Sequence, residues 1–306
     1  TPWRILRQEA DPARYLPYAR HIDDNVIALD GRDLMMMFKL DGLAFETADP
    51  IHLNDWHEKL NGTLRNIADD RLAIWTHIVR RPITDYPEGE FRSAFAADLD
   101  AKYRARVTAK RMFVNELYLT LIMRPSVGSA DRTGVLLRRL VSARKERTEV
   151  DEDELARFED KARDIEKLLA RCRPQRLHLY EHNGLMFSQP LEVLELVMMG
   201  RAGRVPLVRG HLGSAIYGER VIFGRETVEV RAHDTSRFVG LFGIREYPAM
   251  TRPGQMNALL SQDFAFVVTQ SFAFMGKARA SERLRRRQNQ MASTEDAAAS
   301  QALELA

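Results

Sequence analysis

VIALDGRDLMMMFKLDG, residues 26–42, holds two Asp-Gly pairs, Asp30-Gly31 and Asp41-Gly42, on either side of an apolar run. Asp-Gly marks a tight turn because such turns require positive φ, which glycine adopts without steric cost. Residues 26–29 and 34–40 are therefore expected to be the arms of an antiparallel hairpin. His21, Asp23, Asp24 and Asn25 precede it and read either as a site or as a turn with Asx-type capping.

Moving outward, Asp49-Pro50 has the form of a helix start: Asp can accept from free N–H groups and Pro fits the first helical position. Leu53, Trp56, Leu60, Leu64 and Ile67 follow at helical spacing. Residues 71–80 are β-rich and apolar on both faces, which suits a central strand. Phe91, Phe95, Leu99 and Tyr103 step by four on a second helix, and 113–123 reads as another strand. Residues 131–173 are dense in both charge signs. Within them Leu155, Phe158, Ala162, Ile165, Leu169 and Cys172 recur at alternating threes and fours. That stripe fits a helix lying on its own domain or a coiled-coil seam for a partner.

In the second half, Asn183-Gly184 predicts another hairpin, and Ser188 with Pro190 opens a helix that ends at Gly200. This helix is apolar almost all round and is expected to be buried. Residues 210–224 read as loop and hairpin, 226–231 and 237–245 as strands, and Thr251 with Pro253 as the start of a helix through Leu260. Phe264, Phe266, Val268, Phe272 and Phe274 alternate with small residues, which predicts a strand packed on both sides.

Residues 277–306 lack Pro and Gly and predict one helix of roughly 45 Å. Basic residues crowd its N-terminal half and acidic ones follow, against the order the helix dipole favours. Arg279, Arg283, Arg286 and Arg287 are thereby candidate partner-binding residues. An acidic protein surface, anionic lipid headgroups or nucleic acid would match them, as would a solvated face with carboxylates of the same chain.

These elements make an α+β fold: mixed or antiparallel sheets with flanking helices, a charged helical insertion and a long C-terminal helix. The expected divisions are 1–130, 131–174, 175–275 and 276–306. The last third weakly echoes the first, which predicts one further strand beyond residue 306.

The 306 residues carry a formal net charge of +3 and a single cysteine, Cys172. An internal disulfide is excluded, and a lone thiol suits a reducing compartment. No run reaches the roughly 18 apolar residues that span a bilayer. A phosphate-binding loop is rejected: at Gly276-Lys277 the first required glycine falls on Ser271 and Ala278 replaces the hydroxyl residue. Neither a dinucleotide fingerprint nor a nucleophile elbow occurs, and His178/His182 and His52/His57 lack metal-ligand context. No cofactor is expected in this chain. A docking or assembly role, a standalone nucleic-acid-binding or scaffold protein using the Arg-rich helix, and an enzyme with an unrecognised site remain open.

Several blocks carry a resemblance. They include LPYARHIDDNVIALDGRDLMMMFKLDGLAFETAD (16–49), RNIADDRLAIWTHIVRR (65–81), NELYLTLIMRP (115–125) and GLMFSQPLEVLELVMMG (184–200). VPLVRGHLGSAIYGERVIFGRETVEVR (205–231), FVGLFGIREYPAMTRPG (238–254) and LRRRQNQM (284–291) continue it in order. Together they resemble the N-terminal region of the CagE/TrbE/VirB family, the ATPases of bacterial type IV secretion and conjugation systems. The resemblance implies a protein on the cytoplasmic face of the inner membrane that contacts other secretion components and forms homo-oligomers. It also implies a C-terminal motor taking ATP and Mg beyond the matched region, so no nucleotide-binding role passes to any residue here.

Overall fold

The computed structural model describes residues 12–43, 49–83, 86–87, 89–109, 112–125, 151–244, 246, 250 and 254–293. The fold is α+β, with antiparallel sheets and flanking helices, as the turn signals predicted. The main sheet has seven strands. On one path run β1 (Tyr18–His21), β2 (Val26–Leu29), β3 (Leu34–Leu40), β5 (Met112–Met123), β4 (Leu72–Ile83) and β12 (Phe266–Ala273). The two-residue β6 (Gln175–Arg176) pairs with β3 beyond the reach of β2.

The hairpin at Asp30-Gly31 forms, but the left-handed residue of its turn is Arg32 (φ 68°) and not the glycine. Leu29 N–H donates to Asp33 O at 2.8 Å, which closes a wider turn than the Asp-Gly pair alone predicts. Around His21, the turn reading fits the geometry. Asp24 N–H donates to the Asp23 side chain, Leu179 N–H donates to Asp24 O, and the His21 ring meets the Ser188 hydroxyl at 2.9 Å.

Layers of helix bury both faces of this sheet at β3. Leu34, Met36, Phe38 and Leu40 share a core with Leu72, Ile74 and Leu121 on one face. Helix α3 (Glu152–Leu168) covers it with Phe158, Ala162 and Ile165, all at most 1% exposed. The charged stripe is thus a helix lying on its own domain and not a coiled-coil seam. Asp151 caps it, accepting from Asp153 N–H at 3.1 Å. Arg176 of β6 then fixes its azimuth, donating to Glu166 through Nε and Nη2 at 2.6 and 2.8 Å and to Glu159 at 2.6 Å. Residues 131–150 of the charged segment lie outside the described residues.

On the other face, Ile27, Met35, Met37, Val79 and Tyr118 meet helix α4 (Gln189–Met199) and the short α5 (Gly213–Ile216). The sequence places α4 to the residue. Ser188 caps its start by accepting from Leu191 N–H, and Gly200 ends it at φ 66°. Just before it, Asn183 (φ 52°) and Gly184 (φ 76°) make the predicted hairpin turn between β7 (Leu179–His182) and β8 (Leu185–Ser188).

Packing crosses the expected divisions at 130 and 175. Strand β12, from the 175–275 segment, pairs over eight residues with β4, from the 1–130 segment. It is an edge strand, and its second half is exposed. The expectation of packing on both sides is therefore corrected: the alternation is real, and Val267 and Phe274 touch the margins of the two cores, but no residue of β12 is fully buried. Buried Arg80 anchors the approach to it, donating to Gln262 O and Leu260 O at 2.6 Å each and to Asn115 Oδ1 at 2.9 Å. Leu260 ends the one-turn helix α6 (Asn257–Leu260), far shorter than expected; its expected start at Thr251 and Pro253 lies outside the described residues.

Helices α1 (Pro50–Asn66) and α2 (Ala94–Thr108) also form where the spacing predicted them. Asp49 stands at the α1 N-cap but makes no side-chain cap bond. Helix α2 buries no residue.

A separate three-stranded sheet, β9 (Arg220–Phe223), β10 (Val228–Arg231) and β11 (Ser236–Val239), sits beyond α5. The strand expected over 237–245 is corrected: it stops at Val239, residues 240–244 are in no strand, and residue 245 lies outside the described residues. Glu219 and Arg237 pair within this unit, and buried Glu195 of α4 faces them while Arg201 approaches it at 3.7 Å. Burial pushes the Glu195 carboxyl above its ordinary range, Arg201 opposes this, and the nearby Glu219 adds to it.

Truncation of Phe158 to Ala is expected to cost about 3–5 kcal/mol in urea unfolding, because a fully buried ring leaves a cavity. Phe95→Ala, on the exposed face of α2, should change stability by less than about 0.5 kcal/mol. For Glu195 the sign follows from its raised folded-state pKa. Its contribution is fully present below the unfolded pKa and is lost as pH rises through the folded one. Glu195→Gln should therefore raise the melting temperature at neutral pH, with the gain vanishing in acid; a loss at neutral pH would contradict the assignment.

Candidate docking surfaces

Helix α7 (Lys277–Ser293) starts three residues after β12 and carries the basic cluster. It is continuous over 17 residues, roughly 25 Å, and residues 294–306 of the expected longer helix lie outside the described residues. Arg283, Arg285, Arg286 and Arg287 are all exposed. Arg286 donates to Glu282 at 2.5 Å, an exposed i,i+4 pair of small energetic weight. Arg283 and Arg287 make no ion pair among the described residues, and the side chain of Arg279 lies outside them. The structure thus brings Arg283, Arg286 and Arg287 onto one short exposed stretch. The carboxylates expected downstream, Glu295, Asp296 and Glu304, fall outside the described residues.

The strand–loop–helix passage from β12 into α7 has the topology in which a phosphate-binding loop is found, so it is a direct test for nucleotide. It does not fit. The linking segment is three residues, Phe274 to Gly276, too short to wrap backbone N–H groups around a phosphate. Gly276 also lies outside the positive-φ conformations such a cradle uses, and Ala278 supplies no hydroxyl. Among the described residues, no group of three or more His, Cys, Asp or Glu side chains is placed to hold a metal ion. No described helix is long and apolar enough to cross a membrane. Half-buried Cys172, its thiol pushed up by burial, packs against the α3 core.

Two apolar surfaces escaped the sequence reading. On α2, Phe95, Leu99 and Tyr103 are 59–77% exposed, so their helical spacing marks an outer stripe. On β11 and just after it, Phe238, Leu241 and Phe242 are 71–99% exposed. Spacing alone does not distinguish a core stripe from an exposed one. A signal was nonetheless present: the remaining α2 positions are mostly small or charged, and α2 has almost no net amphipathicity.

Residues 25–130 match the family described as "Type IV secretion system ATPase VirB4/TrbE, N-terminal domain". Residues 175–306 match the "CagE, TrbE, VirB family, component of type IV transporter system". A type IV secretion system protein virB4 of Bartonella quintana is 42% identical over 97% of this chain. The virB4 protein of Rhizobium radiobacter is 37% identical over 94%, and the PtlC protein of Bordetella pertussis is 32% identical over 99%. The chain spans 38%, 36% and 37% of those relatives' lengths. The unmatched interval between the two families coincides with the charged segment, while both flanking matches run through strands of one sheet. This chain belongs to the CagE/TrbE/VirB family of type IV secretion ATPase components, and the part it carries is the N-terminal region.

Proposed function

We propose that this region is the docking and assembly part of a type IV secretion ATPase that energises channel or pilus assembly and substrate transfer. It holds the motor to the other components at the cytoplasmic face of the inner membrane. ATP and Mg are taken by the C-terminal motor, consistent with the misfit of the only Gly-Lys segment here. The observation that carries the reading is the exposed arginine stretch of α7, which follows the main-sheet strand β12 after three residues and has a single intrahelical ion pair among its described members. An arginine presents five donors in a planar fork, suited to carboxylates and phosphates. Homo-oligomerisation of the full-length protein belongs to the same reading.

The test is reversal of Arg283, Arg286 and Arg287 to Glu together. All three are exposed, so circular dichroism and melting should be unchanged. Recovery of the protein with other secretion components from membranes, and substrate transfer, should both fall at least about tenfold, the loss of roughly 1.4 kcal/mol of docking energy. Unchanged recovery and transfer would remove α7 as the docking element. If the same variant instead loses salt-sensitive DNA binding while membrane recovery persists, the helix serves nucleic acid.

A further inference from the structure

One end of the main sheet gathers arginines from four places in the chain. Arg32 stands in the turn between β2 and β3, Arg71 directly before β4, Arg124 directly after β5 and Arg157 in the second turn of α3. The ladders hold the first three together. Leu34 and Leu72 both pair with Met123, and Arg124 N–H donates to Arg71 O at 3.0 Å. With buried Leu34 and Met123, the four arginines line an open recess of about 220 Å³.

Carboxylates answer only part of this charge. Arg71 donates to Asp69 through Nε and Nη2 at 3.4 and 3.2 Å, which leaves Nη1 outside that fork. Arg124 and Arg157 are exposed and make no ion pair among the described residues. Asp33 lies near Arg124, whose charge opposes the upward push of burial on that carboxyl. Lys161, one turn beyond Arg157, adds a cation near Asp69. Around the recess the four arginines and Lys161 thus meet the carboxylates of Asp33, Asp69 and Glu154, and positive charge is left over. Like charges gathered at one recess repel, and an anion between them turns the repulsion into attraction.

We propose that this recess binds a terminal phosphate group, free or on a lipid headgroup, held by Arg124 and Arg157. Guanidinium groups carried by different elements suit an anion whose oxygens are arranged tetrahedrally. A planar carboxylate is satisfied by a single fork, as Asp69 is by Arg71. A phosphate monoester carries roughly −1.5 to −2 charges at pH 7, which matches the unanswered pair of arginines. Leu34, Met123 and Pro125 keep water from part of the recess, and charge pairing is stronger where water is excluded. The inference goes beyond the docking role. It concerns residues other than the α7 arginines, so either can fail alone.

The test is isothermal titration of the 306-residue chain with inorganic phosphate at pH 7, against sodium chloride at matched ionic strength. Saturable binding with Kd of about 1 mM or tighter is expected. Arg124→Gln together with Arg157→Gln should weaken it at least about tenfold without lowering the melting temperature in phosphate-free buffer. Arg283→Gln together with Arg287→Gln should leave it unchanged. Co-sedimentation with phosphatidylcholine vesicles, with and without phosphatidic acid, separates the two sources. If phosphatidic acid adds a bound fraction that the Arg124 and Arg157 double variant loses, the site takes a headgroup; otherwise it takes free phosphate. Heat no greater than in chloride, phosphate binding that survives the double variant, or equal weakening by the α7 pair would overturn the proposal. Should the double variant fail to fold, Arg157→Gln on the exposed side of α3 decides by itself.

Discussion

Strand β3 has almost no polar face, and that constraint organises the molecule. Six of its seven residues are buried, four facing one way and two the other. A strand of this kind is stable only between two covering layers. Helix α3 supplies one through Phe158, Ala162 and Ile165; α4 supplies the other through Leu191 and Leu194. The two helices come from chain far downstream of β3, so the main core cannot close until residues 150–200 have returned to it. Arg176 takes part in this closure. Beside β3 it grips two glutamates of α3, so the helix is held in rotation as well as in position.

Away from β3 the packing thins quickly. Helix α2 buries nothing, α7 is exposed along its arginine stretch, and the β9–β11 sheet shows aromatic side chains to solvent. The result is a doubly covered centre with lightly packed outer elements. Local opening costs least where few apolar contacts are made, so these elements can adjust without disturbing the doubly covered strands.

Much of the fold was legible because local chemistry specifies it. Asn183-Gly184, Ser188 and Gly200 bound a hairpin and a helix, since positive φ and free N–H groups demand particular residues. The stripe of Phe158, Ala162 and Ile165 announced a helix, but periodicity does not say whether the covering surface belongs to the same chain. The same limit misplaced β12. Its alternation reported two faces correctly but contained no information about which strands flank it. At Asp30-Gly31 the turn was legible and its left-handed residue was not, because Arg32 adopts that conformation within a wider turn. The arginine cluster was read as a feature of one helix. The apolar surfaces on α2 and at β11 were missed because exposure is set by tertiary neighbours.

The β12–β4 ladder has a mechanical consequence. Helix α7 follows β12 after only three residues, and β12 is joined to the core by eight consecutive residue pairs with β4. Tension on α7 along the strand direction loads those rungs simultaneously, in shear, whereas a pull away from the sheet would peel them one at a time. Arg80 rivets the other end of the strand through the carbonyls of Leu260 and Gln262. The junction is therefore stiff to axial force and compliant to lateral force, a directional coupling between whatever follows α7 and the buried sheet.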